Sequence, residues 1–354
     1  MENTIKLAAT RYAGNPILKP ADVTPLLPGF EVIGVFNAGV IRHEDEIVLV
    51  LRVAERPVQH DAERYLYPIV DGQTGEVRIE SISRKTEGAD FSDSREIRTP
   101  DGLYLTSISY LRIARSRDGL HFEVEARAAL FPANEYEVYG IEDCRVTRLG
   151  DEYYLNYSAC APIGITTALA VTRDFRSFER LGIIFHPDNK DVTIFPDRIG
   201  GRYYALHRPS ASRFGQPEIW LAESPDLRCW GDHRHLLGCR EGTWESTRIG
   251  ASAVPFLTDK GWLEIYHGAD ESNRYCLGAV LLEADRPWVV KHRCDRPILT
   301  PEADYETTGF FGNVVFACGA LCEEGTIKLY YGAADTSIGY AEIVLEELWA
   351  FMGV

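Results

Sequence analysis

Five stretches of this chain repeat one plan, and that self-similarity constrains the fold more than any single segment, because a recurring supersecondary unit must bury its faces against its own copies. The copies are FNAGVIRHEDEIVLVLRVAE, EDCRVTRLGDEYYLNYSA, DVTIFPDRIGGRYYALHRP, GASAVPFLTDKGWLEIYHGAD and NVVFACGALCEEGTIKLYYGAAD. Each reads as a strand, a polar or glycine turn, and a second strand ending in polar groups. A third strand follows every copy: YLRIARS, TALAVTR, EIWLAES, YCLGAVLLE and IGYAEIV. An acidic turn then leads to an aromatic, Asp118 to Phe122, Asp174 to Phe178, Asp226 to Trp230 and Asp285 to Trp288, at intervals of 56, 52 and 59 residues. Units of that length fit four-stranded propeller blades.

The fifth copy ends without an outer strand, since the chain stops soon after IGYAEIVLEELWAFMGV. NPILKP at 15–20 matches RPILTP at 296–301, the exit of the fourth copy's outer strand, so the N-terminal segment is expected to join the last blade and close the ring. The prediction is an all-β chain: one five-bladed β-propeller over residues 1–354, with a polar insertion in the first blade at about 56–106 carried outside the core. Two separate β domains are the competing arrangement.

A length of 354 residues and 45% hydrophobic content suffice for a real core. The formal net charge of −16 argues against a nucleic-acid or anionic-membrane partner, for which a basic face is expected. Eight scattered cysteines form no CxxC pair and read as free thiols of a reducing cytoplasm, with neither a disulfide framework nor a metal site. No leader-like or membrane-spanning apolar stretch is visible, so a cytoplasmic location is expected. GxGxxG, Walker, HExxH and GxSxG signatures are all missing from the chain. The rim carries no clear dimer signature, and a homo-oligomer stays open.

In a propeller the first strand of each blade lines the central channel, and one end of a hairpin holds both the start of its first strand and the finish of its second. Alignment of the copies collects Asn37, Glu142, Asp143, Arg145, Lys190, Asp191, Ser252 and Asn313 at inner-strand beginnings, and Arg52, Ser158, His207, Arg208, His267, Asp270 and Asp335 at second-strand ends. They should converge at one channel mouth. Glu142 and Arg145 equally suit ties between blades, and His207 and His267 equally suit satisfied core positions. Several carboxylates with Arg52, Lys190, Arg208 and His267 suit a polyhydroxylated ligand. An inverting glycosidase needs an acid and a base, whereas a phosphate nucleophile needs a cluster of cations, and the apparent excess of cations favours the second arrangement.

The segments GIEDCR, NKDVTIFPDRIGGRYYALHRP and YHGAD resemble glycoside hydrolase family 130, the β-mannoside phosphorylases and related hydrolases on five-bladed propellers, and the resemblance runs from NPIL and FNAG to YYGAAD. It implies inverting phosphorolysis of a β-mannoside to α-mannose 1-phosphate and a shortened acceptor, with inorganic phosphate as co-substrate and no other cofactor. By motif, Asp143 takes the general-acid position, acting through a mannose hydroxyl. Arg52, Lys190, Arg208 and His267 match phosphate-holding positions, and Asn37 and Asp335 sugar-binding ones. Glu142, Arg145, Asp191 and Asn313 join the substrate-binding set by position. The sequence departs at Cys144, where proline is common, and at FNAG, where an NP pair is common. Family hydrolases lack part of the cationic set, so its retention favours a phosphorylase over an inverting β-mannosidase. The first-blade insertion with TSISYLRIARSRDG resembles members acting on β-1,2-linked mannooligosaccharides. That places β-1,2-mannobiose or β-1,2-oligomannan first and β-1,4-mannosyl-glucose or mannooligosaccharide second. A non-catalytic sugar-binding propeller is the reading from another class.

Overall fold

The acidic turns that mark the repeat in sequence are the outer corners of the blades. In the computed structural model, which describes residues 9–210 and 214–354, Asp118 accepts the N–H groups of Leu120 and His121, Asp174 those of Arg176 and Ser177, and Asp226 those of Arg228 and Cys229. A hydroxyl two residues earlier, on Ser116, Thr172 or Ser224, takes the next N–H in each corner. These short side chains satisfy turn amides that no strand can. The fourth corner, with Asp285, is closed by the backbone instead, Val289 N–H donating to Arg286 O. The reading of a leader-free N-terminus concerns residues partly outside the described ones.

Five antiparallel sheets follow one another along the chain. The first blade comprises Phe30–His43, Glu46–Pro57, Ile108–Ser116 and Glu123–Leu130. The second comprises Gly140–Leu149, Glu152–Ala161, Gly164–Thr172 and Glu179–Phe185, and the third Asn189–Ile194, Tyr203–Pro209, Ile219–Ser224 and Gly231–Leu237. In the fourth, Arg248–Ala251 and Phe256–Thr258 both pair with Gly261–Ala269, followed by Tyr275–Leu282 and Val290–Arg293. The fifth contains Val315–Glu323, Thr326–Ala333 and Ser337–Val344, and its outer strand is Thr10–Arg11 from the other end of the chain. Strands buried on both faces, such as Gly261–Ala269, are apolar almost throughout, which is why strict alternation fails there. Corner aromatics pack across blade boundaries: Trp230 stacks on Phe185, Trp288 tilts against Tyr204, and Phe122 meets Tyr330 edge-on.

The N-terminal clasp combines backbone and charge. Thr10 and Arg11 pair with Glu342 and Ala341, and Leu18 bridges to Ile338. Arg11 Nε lies 2.8 Å from Glu306, whose side chain is fully buried and also accepts the Tyr331 hydroxyl at 2.8 Å. Between Pro57 and Ile108 the chain makes two hairpins outside the blade, Arg64–Val70 with Val77–Ser83, and Glu96–Thr99 with Gly102–Leu105.

Removing the Arg11 cation leaves Glu306 buried with neutral donors alone. Arg11→Ala should cost about 3 kcal/mol, the low end for breaking a buried pair because those donors remain. Urea denaturation at neutral pH checks this, and a loss below about 1 kcal/mol contradicts a stabilising clasp.

Candidate active site

The inner strands of the first three blades break at the same place. Phe36 faces Arg52 but Gly39 faces Val50, Glu142 faces Ser158 but Arg145 faces Asn156, and Lys190 faces Arg208 but Thr193 faces Leu206. Each interruption is a bulge with one extra residue, which re-aims the side chains around it. The first bulge residue is Asn37, Asp143 or Asp191, with φ of 49°, 50° and 53°. Asn and Asp enter this left-handed region more readily than other side-chain-bearing residues, so the local sequence permits the kink. In the fourth blade, Ser252 and Ala253 both direct their N–H groups at Ile265 O. Gly250 is obligatory beside them, since a Cβ there would stand 2.5 Å from His267 Cε1 and 2.7 Å from Asp191 Oδ2.

The bulges open into a cavity of about 740 Å³ lined by Asn37, Arg52, Glu142, Asp143, Lys190, Asp191, Arg208, His267 and Asp335. Arg52 places Nη1 3.0 Å from Asp143 Oδ1, Nη2 2.7 Å from Glu142 Oε1 and Nε 3.1 Å from Ser109 Oγ. Asn37 Nδ2 donates to the same Asp143 oxygen at 2.9 Å. Burial pushes the Asp143 carboxyl up, but Arg52, Lys190, Arg145 and Asn37 outweigh it and hold the group below the usual carboxylate range. The acid candidate is therefore ionised in this arrangement. Asp335 goes the other way: burial, with Asp143 and Glu142 adding to it, pushes it up to about 6 against the pull of Arg52 and Arg95.

On the far wall, Arg208 Nη1 lies 2.9 Å from Asp191 Oδ2, and His267 Nε2 3.3 Å from the same oxygen. Burial opposes ionisation of Asp191, yet Arg208 and His267 hold it well below the ordinary value. His267 Nδ1 lies 3.0 Å from Ser252 Oγ, and burial pushes the ring down to about 4, so it is neutral at pH 7. Lys190 remains a cation, because Asp191, Glu142 and Asp143 outweigh both its burial and Arg208. Among the described residues it has no ion-pair partner, unlike Arg52 and Arg208.

Three expectations need correction. The cations are not in excess, since Glu142, Asp143, Asp191 and Asp335 all share the lining with Arg52, Lys190 and Arg208. Arg145 lies beneath the floor rather than against a sugar. It is 1% exposed, with its donors on the carbonyls of Ser252, Ala251 and Asp143, because a guanidinium inside the ring must satisfy carbonyls freed by bulges on facing blades. Asn313 does not reach the cavity: it is exposed before the inner strand begins, with φ of 62°, and its carbonyl takes Tyr275 N–H. His207, whose place was open between core and site, stacks on Phe185 and bonds Asn189 and His233.

Residue-level reading missed the wall made by the insertion. Arg95, Leu103 and Tyr104 line the cavity with Tyr139, Phe311 and Phe316. The Glu96–Leu105 hairpin is pinned across the mouth: Arg95 lies over the Phe311 ring at 4.3 Å, Ser94 Oγ donates to Phe310 O, and Tyr139 Oη donates to Leu103 O. The polar, charge-rich composition of the insertion marked it as peripheral without indicating which residues fold back.

The sequence profile of glycoside hydrolase family 130, described as β-1,4-mannooligosaccharide phosphorylase, matches residues 104–353. The chain belongs to glycoside hydrolase family 130. It is 51% identical over 342 residues to β-1,2-mannobiose phosphorylase of Listeria innocua, covering 96% of each chain. It is 38% identical to 1,2-β-oligomannan phosphorylase of Thermoanaerobacter sp. over 70% of this chain and 83% of that one. The structure of the Listeria innocua enzyme in complex with β-1,2-mannobiose superposes with a TM-score of 0.94, at 50% identity, over 97% of this chain and 99% of that one. The five-bladed ring is thus the family fold.

The neutral buried histidines make an acid-labile fold. Unfolded histidine titrates near 6.5, while His267 and His207 are pushed down to about 4 and about 3, so their contribution is present above about pH 6.5 and lost as pH falls. Asp335, raised from 3.8 to about 6, favours folding most at low pH and offsets part of that loss. His207→Gln should reduce the fall in stability between pH 6.5 and 5 by up to about 1.4 kcal/mol per pH unit. Urea midpoints at both pH values measure it, and an unchanged slope refutes a neutral His207.

Proposed function

We propose that this enzyme cleaves β-1,2-mannobiose by inverting phosphorolysis, giving α-mannose 1-phosphate and mannose. The phosphorylase activity follows from the family and its closely similar members. The finer choice of substrate rests on the 51% identity to the Listeria innocua enzyme over 96% of each chain. The observation that carries the reading is the state of the carboxylates. An inverting hydrolase needs a carboxylate free to activate water. Glu142 is engaged by Arg52, Asp191 by Arg208 and His267, and Asp335, the remaining lining carboxylate, is committed to sugar hydroxyls in this reading. Among the described residues Lys190 has no such partner, and it is available to an anion.

In this mechanism phosphate sits against Lys190, Arg208 and Arg52, with neutral His267 as a hydrogen-bonding neighbour, and attacks the anomeric carbon from the face opposite the leaving sugar. Asp143 supplies the proton to the leaving oxygen, relayed through a mannose hydroxyl. Asn37 and Asp335 hold the mannose hydroxyls, and Glu142 orients Arg52. Asp191 fixes the Arg208 and His267 side chains. Phosphate is the nucleophile, so the chemistry requires no cofactor or metal.

Incubation with β-1,2-mannobiose should release mannose 1-phosphate only when phosphate is supplied; free mannose appearing at the same rate without phosphate refutes the reading. Asp143→Asn should lower kcat by about 10²- to 10⁴-fold, the usual worth of a general acid. Lys190→Ala should raise KM for phosphate by about 10- to 100-fold, as loss of a charge-assisted contact predicts, and leave KM for the sugar nearly unchanged.

A further inference from the structure

Arg52 is assigned to phosphate, yet its guanidinium already carries two carboxylates. Three of its five N–H donors are committed inside the site, Nη1 to Asp143 at 3.0 Å, Nη2 to Glu142 at 2.7 Å and Nε to Ser109. Arg208 is likewise held by Asp191. A dianion entering the cavity therefore finds Lys190 without an ion pair among the described residues, but both guanidiniums already held by carboxylates. Asp143 meanwhile must deliver a proton, although the same guanidinium favours its ionised form.

One rearrangement removes both conflicts. We propose that Arg52 exchanges Asp143 for the incoming phosphate, so that anion binding and uptake of one solvent proton by Asp143 form a single coupled step. The proposal rests on the phosphorylase reading. Freed from Arg52, Asp143 is 4% exposed and faces a new negative charge, and both conditions favour the protonated form. The proton then passes toward the glycosidic oxygen as the anomeric carbon–oxygen bond breaks, and Asp143 is again a carboxylate when the products leave. Without phosphate the acid stays ionised, which suppresses cleavage by water.

The groups around Asp143 limit where else that proton can go. Glu142, Cys144 and Arg145 face it from its own strand, Asn37 and Arg52 from the first blade, Lys190 from the third, Cys160 from the adjacent strand, and Cys318 and Asp335 from the fifth blade. Burial pushes the three thiols up, so they are already protonated. Glu142 keeps its 2.7 Å contact with Arg52, and its side chain is 15% exposed against 5% for Asp143. Asp335 is the rival acceptor.

Titration calorimetry with sulfate, an anion of constant charge between pH 6 and 8, separates these outcomes when run in two buffers of different ionisation enthalpy. Most of one proton should be taken up per sulfate bound at pH 6, and affinity should tighten by up to about tenfold per pH unit as pH falls. Asp143→Asn should bind sulfate without that uptake, whereas Asp335→Asn should retain it. Arg52→Lys, which keeps the charge but loses the fork, should weaken binding and at least halve the uptake. Sulfate binding without proton uptake overturns the coupling alone. So does uptake that survives Asp143→Asn and disappears in Asp335→Asn. Failure to bind either sulfate or phosphate overturns the phosphorylase reading along with it.

Discussion

The guanidinium of Arg52 joins the first two blades, and the charge state of the whole cavity depends on how that one cation is shared. Buried carboxylates are tolerated only when paired or hydrogen-bonded, and here Glu142 and Asp143 lean on a single fork. The far wall repeats the device, with Asp191 gathering Arg208, His267 and the edge of Arg145. The two guanidiniums are therefore neutralised from within the site, while Lys190 has no ion pair among the described residues. Such an arrangement keeps a charged pocket stable without a ligand, and it makes any entering anion compete with a carboxylate already in place.

The competition is possible because the residues are held by backbone rather than by their charges. Asn37, Asp143 and Asp191 occupy equivalent left-handed bulges in consecutive blades, and each such conformation costs about 1 kcal/mol. Blade packing holds them there, with inner strands such as Gly140–Leu149 almost wholly buried. Arg145 adds a cross-link under the floor by satisfying carbonyls from two blades. A side chain released by its ion-pair partner therefore stays in position to react.

Much of the ring was legible in the chain because propeller blades are local. Each hairpin, corner and third strand uses neighbouring residues, so turn chemistry at Asp118, Asp174 and Asp226 repeats in sequence as it does in space. The missing outer strand was legible too: Thr10–Arg11 pairs along the last blade's third strand, and Leu18 of the NPIL segment bridges to Ile338 on the same strand. The site was legible in part. Repeat alignment brought Asn37, Asp143, Asp191, Arg52 and Arg208 to one mouth, since equivalent positions on a ring face one axis. It misplaced Asn313, because the segment before the last inner strand is an irregular loop with no counterpart in the other copies. It could not find Arg95 or Tyr104, which arrive from an insertion that obeys no repeat.

Periodicity within the chain thus specified the blades, their number and the set of polar positions turned toward the axis, because those properties arise from contacts between residues near one another in sequence. Which carboxylate is ionised, which cation is spoken for and which histidine is neutral were settled by the folded ring alone. Those properties depend on burial and on separations of about 3 Å between side chains from different blades, and no local pattern encodes such distances.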